Sequence, residues 1–430
     1  MINLKRILTG ITRANERYED YIYATQLIHL IPQLNKYLGS DDLVALQEID
    51  LNDKIANSQK FKRYRSQISR IYVDIARNSI KLSHTDVARI FTKAIDISPM
   101  DDRAALQDFI IYEFNYGLEN DFLKKLIEHY FERFEKWRNE SKNKLIHCIN
   151  ICLKIQENNI KSALNWLNGY KKEFGIDGLQ VIPRVAYFAY NNGLQSELIE
   201  KSSYIAGEVL RTQQDELFAR YLKGKSIAIV GNGPQNIGTK LGANIDNSDI
   251  VIRFNNGADT QRFKQDYGSK LTVWVRNNAE PFNNYKCLKK SKFCILIDSI
   301  ERMHWKDEQI LKCYEQLINT SCRLIAPRRE FLQEIFKKYD FSRFTSGLLA
   351  IAYIIHTAKN ANINLYGFSS LDQKLKEDTS FYSQNKLSFY SNKPSNLEPG
   401  FMNHCFSKEK QLMTDIISKI RDSNEYNNHQ

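Results

Sequence analysis

The sequence predicts an α/β fold: a Rossmann-like parallel sheet with helices on both faces, preceded by an all-α, helical-repeat-like domain. Three observations predict it. Residues 1–220 carry apolar side chains at helical spacing and only three prolines, Pro32, Pro99 and Pro183. From residue 226 onward, short β-branched apolar runs alternate with helical stretches. The first of those runs ends in Val230-Gly231-Asn232-Gly233, a turn with room for a phosphate against the backbone.

The helical half shows its period plainly. Leu123, Leu126, Ile127, Tyr130 and Phe131 recur at helical spacing, as do Leu145, Ile149, Cys152 and Leu153. Polar breaks at Asn115-Tyr116-Gly117, Glu157-Asn158-Asn159 and Asn191-Asn192-Gly193 begin 42 and then 34 residues apart. Helix lies on both sides of each break, which suggests stacked helical hairpins. The domains predicted are therefore 1–221, all-α, and 222–430, α/β.

The pattern changes at Lys223-Gly224-Lys225. Buried parallel strands read as short continuous apolar runs. Six such runs follow: Ser226–Val230, Ile250–Phe254, Leu271–Val275, Phe293–Ile297, Cys322–Ala326 and Ile363–Tyr366. Helical stretches lie between several of them, notably Glu330–Lys338 and Gly347–Ala358, and Ser407–Ile420 closes the chain. In such sheets ligands sit beyond the carboxyl ends of the strands.

Bulk properties narrow the partners. The 430 residues carry 61 Lys and Arg against 50 Asp and Glu, a formal charge of +11 that favours anionic partners over neutral ones. Seven cysteines form no Cys-x-x-Cys pair and no zinc-type spacing, which fits a reducing compartment. The longest apolar run, Gly347–Ile355, is far too short to span a bilayer. Met1-Ile2-Asn3-Leu4-Lys5-Arg6 leads into no apolar signal core. The expectation is a cytoplasmic protein, with peripheral attachment to the inner face of a membrane as a variant, and with no nucleic-acid partner.

The glycine turn admits two classes of ligand. A dinucleotide fold wants G-x-G-x-x-G and an acid at the end of its second strand. Here the third glycine is Gly238, two residues late, and the second strand ends in Arg253-Phe254-Asn255-Asn256. A dinucleotide-dependent oxidoreductase is thus the weaker reading. The run Ile227-Ala228-Ile229-Val230-Gly231-Asn232-Gly233, followed by Ile245-Asp246-Asn247-Ser248-Asp249-Ile250-Val251-Ile252-Arg253-Phe254-Asn255 and then Tyr267-Gly268-Ser269-Lys270, resembles the long sialylmotif of the animal-type sialyltransferase family. Phe344-Thr345-Ser346-Gly347-Leu348-Leu349-Ala350, running through Leu365-Tyr366-Gly367-Phe368, resembles the short motif. His404 and Glu409, five positions apart, match the family's last motif.

That resemblance implies a glycosyltransferase with a GT-A-like variant of the Rossmann-like fold. It implies a CMP-activated ulosonic acid donor, sialic acid or Kdo, a glycan or glycolipid acceptor, and inverting transfer that uses no metal and no other cofactor. His404 would be the general base, since a neutral imidazole suits proton removal near pH 7. Gly231, Asn232, Gly233 and Asn255 would hold the CMP portion at adjacent strand ends. Thr345, Ser346 and Gly347 open an apolar helix and would form an anion site there. Glu409 and Arg253 would support the site, and Arg276, Arg328 and Arg329 are further sources of positive charge.

Two departures from the family pattern stand out. The family's His-Tyr-like pair is met here by Phe389-Tyr390, with Ser388 where a His would stand; Tyr390 is the candidate donor to the leaving phosphate. The disulfide that joins the motifs of animal relatives has no counterpart, because Ser226 and Asn360 stand near its two places. With no secretory anchor, these features suggest a bacterial-type enzyme of capsule or lipopolysaccharide assembly, working alongside capsule-assembly proteins. The third alternative is a helical-repeat scaffold with an inactive transferase domain. No Asp-x-Asp triplet is present to hold a divalent ion.

Overall fold

The computed structural model describes residues 65–78, 82–134, 136–210, 214–232, 236–255, 263–276, 285–302, 304–358, 361–368 and 406–428. It divides into two compact units, Met1–Phe109 and Ile110–Gln430. The helices in chain order are α1 (Arg65–Asn78), α2 (His84–Ile97), α3 (Ala104–Tyr116), α4 (Asn120–Arg133), α5 (Ser141–Gln156), α6 (Ile160–Phe174), α7 (Pro183–Asn191), α8 (Glu197–Leu210) and α9 (Gln214–Leu222). Then come β1 (Ser226–Val230), α10 (Gly242–Asn247), β2 (Ile250–Phe254), α11 (Lys264–Tyr267), β3 (Val273–Arg276), α12 (Tyr285–Lys290), β4 (Phe293–Leu296), α13 (Asp307–Leu317), β5 (Arg323–Ile325), α14 (Arg329–Tyr339), α15 (Ser346–Thr357), β6 (Asn362–Tyr366) and α16 (Phe406–Asn428).

In the first unit, α1 and α2 pack together, and Tyr72, Val73, Ala76, Val87, Phe91 and Ala94 on them are buried. Ser83 caps α2 by accepting the Asp86 amide proton, and Phe91 stacks on Phe109 at 4.8 Å. Such a cap stabilises a helix by about 1 kcal/mol.

The second unit is built on a six-stranded, fully parallel sheet of order β5-β4-β3-β2-β1-β6. Alternate residues of each strand feed two separate cores, as the twofold strand repeat demands. Ile227, Ile229, Ile250, Ile252, Val273 and Ile295 face α9, α14, α15 and α16. Trp274, Cys294, Leu296 and Leu324 face α8, α12 and α13, and Ala228, Val230 and Val251 meet Ile245 and Tyr267 on α10 and α11. Both faces of β1 to β4 are covered, which is why those strands read as continuous apolar runs.

The change in sequence pattern at 222 does not coincide with the edge of this unit. Ile205 and Ala206 of α8 are buried against Trp274 and Leu296, and Phe218 and Leu222 of α9 are fully buried under β1 and β4. Helices that look like part of a separate domain in sequence therefore supply the covering layers of the sheet. The sixth strand decides where a ligand can sit. Strands β2 to β5 step away from β1 in one direction, and β6 returns to its other side. That reversal is a topological switch point, and it lies between the carboxyl ends of β1 and β6.

Candidate functional site

The exits of β1 and β6 touch. The Gly231 amide donates to the Tyr366 carbonyl at 2.7 Å. A Cβ on Gly231 would lie 2.7 Å from the Gly367 carbonyl oxygen and 2.8 Å from Cε1 of Phe368. Gly367 takes φ +68°, a left-handed turn that glycine adopts without strain. Gly231 is therefore required first by the close approach of two chains, whatever it offers a phosphate. Asn236 ties the same place together: its Oδ1 accepts the Gly367 amide proton at 3.3 Å, and its own amide donates to the Tyr267 hydroxyl at 3.2 Å.

One strand over, Asn232 Nδ2 donates to the Phe254 carbonyl at 3.3 Å. Asn255 follows with φ +48°, a left-handed conformation that asparagine tolerates better than most residues. Its carbonyl accepts the Trp274 indole proton at 2.9 Å. Asn232 and Asn255 thus sit at neighbouring strand ends, as their sequence positions imply.

The third element is the N-terminus of α15. Thr345 is its cap, its hydroxyl accepting the Leu348 amide proton at 3.3 Å. A Cβ on Gly347 would fall 4.0 Å from Cδ1 of Phe254, so the first turn of α15 stands beside the end of β2. Phe254 also meets Phe368 edge-on, with ring centroids 6.0 Å apart. Gly231, Asn232 and Gly347 accordingly gather around one aromatic pair at the switch point, with the Thr345 cap two residues before Gly347. The free amides of a helix start carry partial positive charge, which suits an anion.

Glu409 of α16 reaches this cap. Its Oε1 accepts the Thr345 amide proton at 2.9 Å, and its side chain is buried. Burial pushes its pKa up from the ordinary 4.5 to about 7, while the Thr345 amide and hydroxyl pull the other way. His404 stands five residues earlier in sequence; it, Tyr390 and Gly233 lie outside the described residues.

The arginines divide differently from their sequence reading. Arg253 turns away from the strand end: Nε donates to the Lys270 carbonyl at 2.9 Å and Nη2 to the Tyr267 carbonyl at 2.5 Å. Burial lowers its pKa to about 10, opposed by Asp246. Arg329 is buried over the Phe114 ring at 4.9 Å and donates to the Glu113 carbonyl. These two guanidinium groups hold the fold. Arg276 is buried at the end of β3, 5.2 Å from the Trp274 ring, and Arg328 stands at the N-cap position of α14.

Sequence reasoning passed over Asp246. Its carboxylate accepts the Ser269 amide at 2.8 Å and the Lys270 amide at 2.9 Å, and lies 3.9 Å from Arg253. A Cβ on Gly268 would fall 2.2 Å from Asp246 Oδ1. The acid and the Gly268-Ser269-Lys270 turn are one structural device, and the signal was their joint presence in one motif. Among the described residues, no three His, Cys, Asp or Glu side chains cluster as a metal site would require. No helix among them is long and apolar enough to cross a membrane. A groove of about 630 Å³ lined by Arg220, Phe331, Tyr353 and His356 lies toward the opposite end of α15, and of the candidate residues it contains only Arg328.

Comparison with known proteins bears on this arrangement. Residues 186–420 match the family model of glycosyltransferase family 29 (sialyltransferase). A solved mammalian sialyltransferase in complex with Gal-beta-1-3GalNAc-ortho-nitrophenol is 17% identical, covers 56% of this chain and 83% of its own, and superposes with a TM-score of 0.34. No curated protein matches the chain. The family match removes the dinucleotide reading that the glycine turn alone allowed. The chain belongs to glycosyltransferase family 29, the sialyltransferases, and is a CMP-sugar-dependent glycosyltransferase.

Proposed function

We propose that this enzyme transfers an ulosonic acid from CMP to a hydroxyl of a glycan or glycolipid acceptor, with inversion and without a metal. Sialic acid is the donor the family favours, and Kdo is the variant that shares the same CMP portion. The observation that carries the reading is the convergence of Gly231, Asn232, Asn255 and the Thr345-Ser346-Gly347 turn at the β1–β6 switch point. Strand-end asparagines suit ribose and phosphate oxygens, and a helix start suits the single phosphate of CMP.

In the proposed step the acceptor oxygen attacks the anomeric carbon of the donor. The bond from that carbon to the phosphate oxygen breaks, and CMP departs with the electron pair. The acceptor proton passes to His404 as general base. Amides of the α15 start and the Tyr390 hydroxyl stabilise the leaving phosphate. Glu409 acts at one remove by fixing the Thr345 cap. A monophosphate leaving group carries less charge than a diphosphate, so fixed amides suffice where many transferases use a divalent ion. A role in bacterial capsule or lipopolysaccharide assembly, at the cytoplasmic face of the membrane, fits an acidic-sugar transferase of this kind.

The test incubates purified protein with CMP-sialic acid and CMP-Kdo in turn, and measures CMP release and the transferred product. Turnover with one or both, unaffected by EDTA, is expected. Failure to bind or turn over any CMP-sugar would sink the reading, and activity lost to EDTA and restored by manganese would sink its metal-free form. Replacing His404 by Ala should abolish transfer while CMP still binds.

A further inference from the structure

The helices α4, α5 and α6 carry a second cluster of chemistry-bearing side chains, remote in sequence from every candidate site residue. At its centre the His147 Nε2 bonds the Lys136 carbonyl at 2.6 Å. Asn143 Nδ2 donates to the carbonyls of Lys136 and Arg138 at 3.2 and 2.6 Å. The short loop through 136–138 is thereby pinned from below. Trp137 stacks on His147 with centroids 4.6 Å apart and planes 18° from parallel. A Cβ on Gly169 would fall 2.5 Å from Cη2 of Trp137, so only glycine lets the indole lie on α6.

On this rigid base stand groups that the solvent still reaches. Lys136, Trp137 and Trp166 are half-buried. The Lys136 ammonium lies 4.0 Å from the Trp166 ring centroid and 5.0 Å from that of Trp137. Lys144 lies 5.8 Å from the Phe174 ring. Among the described residues neither lysine has a carboxylate within ion-pair distance, whereas Lys124, Arg138 and Lys154 all do. Eleven Lys and Arg against seven Asp and Glu between residues 120 and 174 keep the surrounding surface positive. Burial holds the His147 pKa down at about 4, so the ring beneath is neutral at ordinary pH.

An ammonium that meets two ring faces and, among the described residues, no carboxylate is a site that gains from an incoming anion. Ring quadrupoles attract such a cation only weakly. A carboxylate on Lys136 would form a charge-assisted hydrogen bond. The half-exposed indoles add apolar surface beside the ammonium for the C–H groups of a sugar ring, and tethering by His147 and Asn143 means little ordering on binding. A carboxylate-bearing sugar combines both features. We propose that the Lys136–Trp137–Trp166 patch is an accessory binding site for acidic glycan, apart from the transfer site. It rests on the reading that this enzyme handles ulosonic acids, and it would hold a sialylated chain near the enzyme.

The experiment titrates the full chain with a sialic acid hexamer, a neutral hexasaccharide and polyglutamate, following tryptophan fluorescence and calorimetry. The sialic acid hexamer should bind, more weakly as salt rises. Lys136→Met keeps the stem over the rings and should weaken binding about tenfold, the scale of one charge-assisted contact. Lys136→Arg should retain binding, and Trp166→Ala should weaken it. CMP release with a short free acceptor should be unchanged in Lys136→Met. Equal binding by Lys136→Met and the parent, or equal binding of the neutral sugar, would overturn the proposal. Preference for polyglutamate would overturn it in favour of an acidic protein partner. Glycan binding without CMP release from any donor would defeat the transferase reading and leave the patch standing; intact turnover without glycan binding would defeat the patch alone.

Discussion

At Gly231 a single hydrogen atom in place of a methyl group decides whether two strand exits can meet. An added Cβ would lie 2.7 Å from a backbone oxygen that has no side-chain freedom to move aside. Gly231→Ala should therefore destabilise the second unit by about 1–3 kcal/mol, as overpacking does, and should lower turnover by displacing Asn232. Thermal melts and CMP release check this together; an alanine variant of parental stability would show that the β1 and β6 exits can part freely. Glu409 makes a second prediction, about pH. Its folded pKa of about 7 lies above the ordinary 4.5, so the folded state holds its proton more tightly than the unfolded chain. Stability from this group is complete below about pH 4.5 and is lost as pH rises toward 7, by about 3 kcal/mol in all. Glu409→Gln keeps an acceptor for the Thr345 amide and cannot ionise. Urea melts of parent and variant should converge at low pH, with the parent falling behind as pH rises; parallel curves from pH 4 to pH 8 would refute the assignment. Of these residues, Gly231, Asn232 and Asn255 were legible as strand-end residues, because the glycine turn and the ends of the apolar runs coincide. The carbonyl partners of Arg253 were not legible, because sequence gives no sign of which face of β2 a polar residue occupies.

Elements were easier to read than their arrangement. All six strands were legible, most of them as apolar runs because burial on both faces erases the alternation, whereas β6 keeps it, with Ile363 buried between exposed Asn362 and Asn364. Their ends slipped by a residue or two: β3 runs Val273–Arg276 where the apolar run suggested Leu271–Val275. Thr272 is already engaged there, its amide bonding the Val251 carbonyl at 2.8 Å, but it falls short of a strand residue. The sheet order was not legible, because nothing local to β6 says that it returns beside β1 rather than continuing past β5. Yet that return is what creates the switch point. The α10–α11 pair shows how much an element can hang on one acid. Asp246 takes amide protons from Ser269 and Lys270 and partners Arg253. Asp246→Ala would leave those amides without their acceptor and remove the carboxylate nearest a buried guanidinium. A loss of about 2–4 kcal/mol is expected, with donor affinity falling because β2 and its Asn255 lose support. Asp246→Asn should recover part of the stability. If Asp246→Ala melts like the parent, the turn at Gly268 is held by something else.

At the scale of the whole molecule, the composition change at residue 222 and the compact unit beginning at Ile110 make opposite predictions for dissection. A fragment 222–430 would expose the sheet face that Ile205 and Ala206 cover, together with Trp274, Cys294 and Leu296 beneath them. It would also lose Phe218 from under Phe293, where the rings lie 5.3 Å apart. Bare sheet faces of this kind aggregate. Farther back, the Tyr112 hydroxyl lies 3.3 Å from the Ser342 hydroxyl, and Phe114 underlies the buried Arg329 guanidinium. Those contacts tie α3 to the segment between α14 and α15, a few residues before the Thr345 cap. Cutting after them would strip a buried cation of its ring and unsettle the helix start proposed to bind the donor. A fragment beginning at Asp101, which keeps α3 whole, should therefore melt in one transition and still bind CMP. The fragment 222–430 should be insoluble or molten and bind none. Soluble, cooperative, CMP-binding 222–430 would mean that the helical layers are accessories to a self-sufficient sheet, and that α8 and α9 do not help to set the geometry at the switch point.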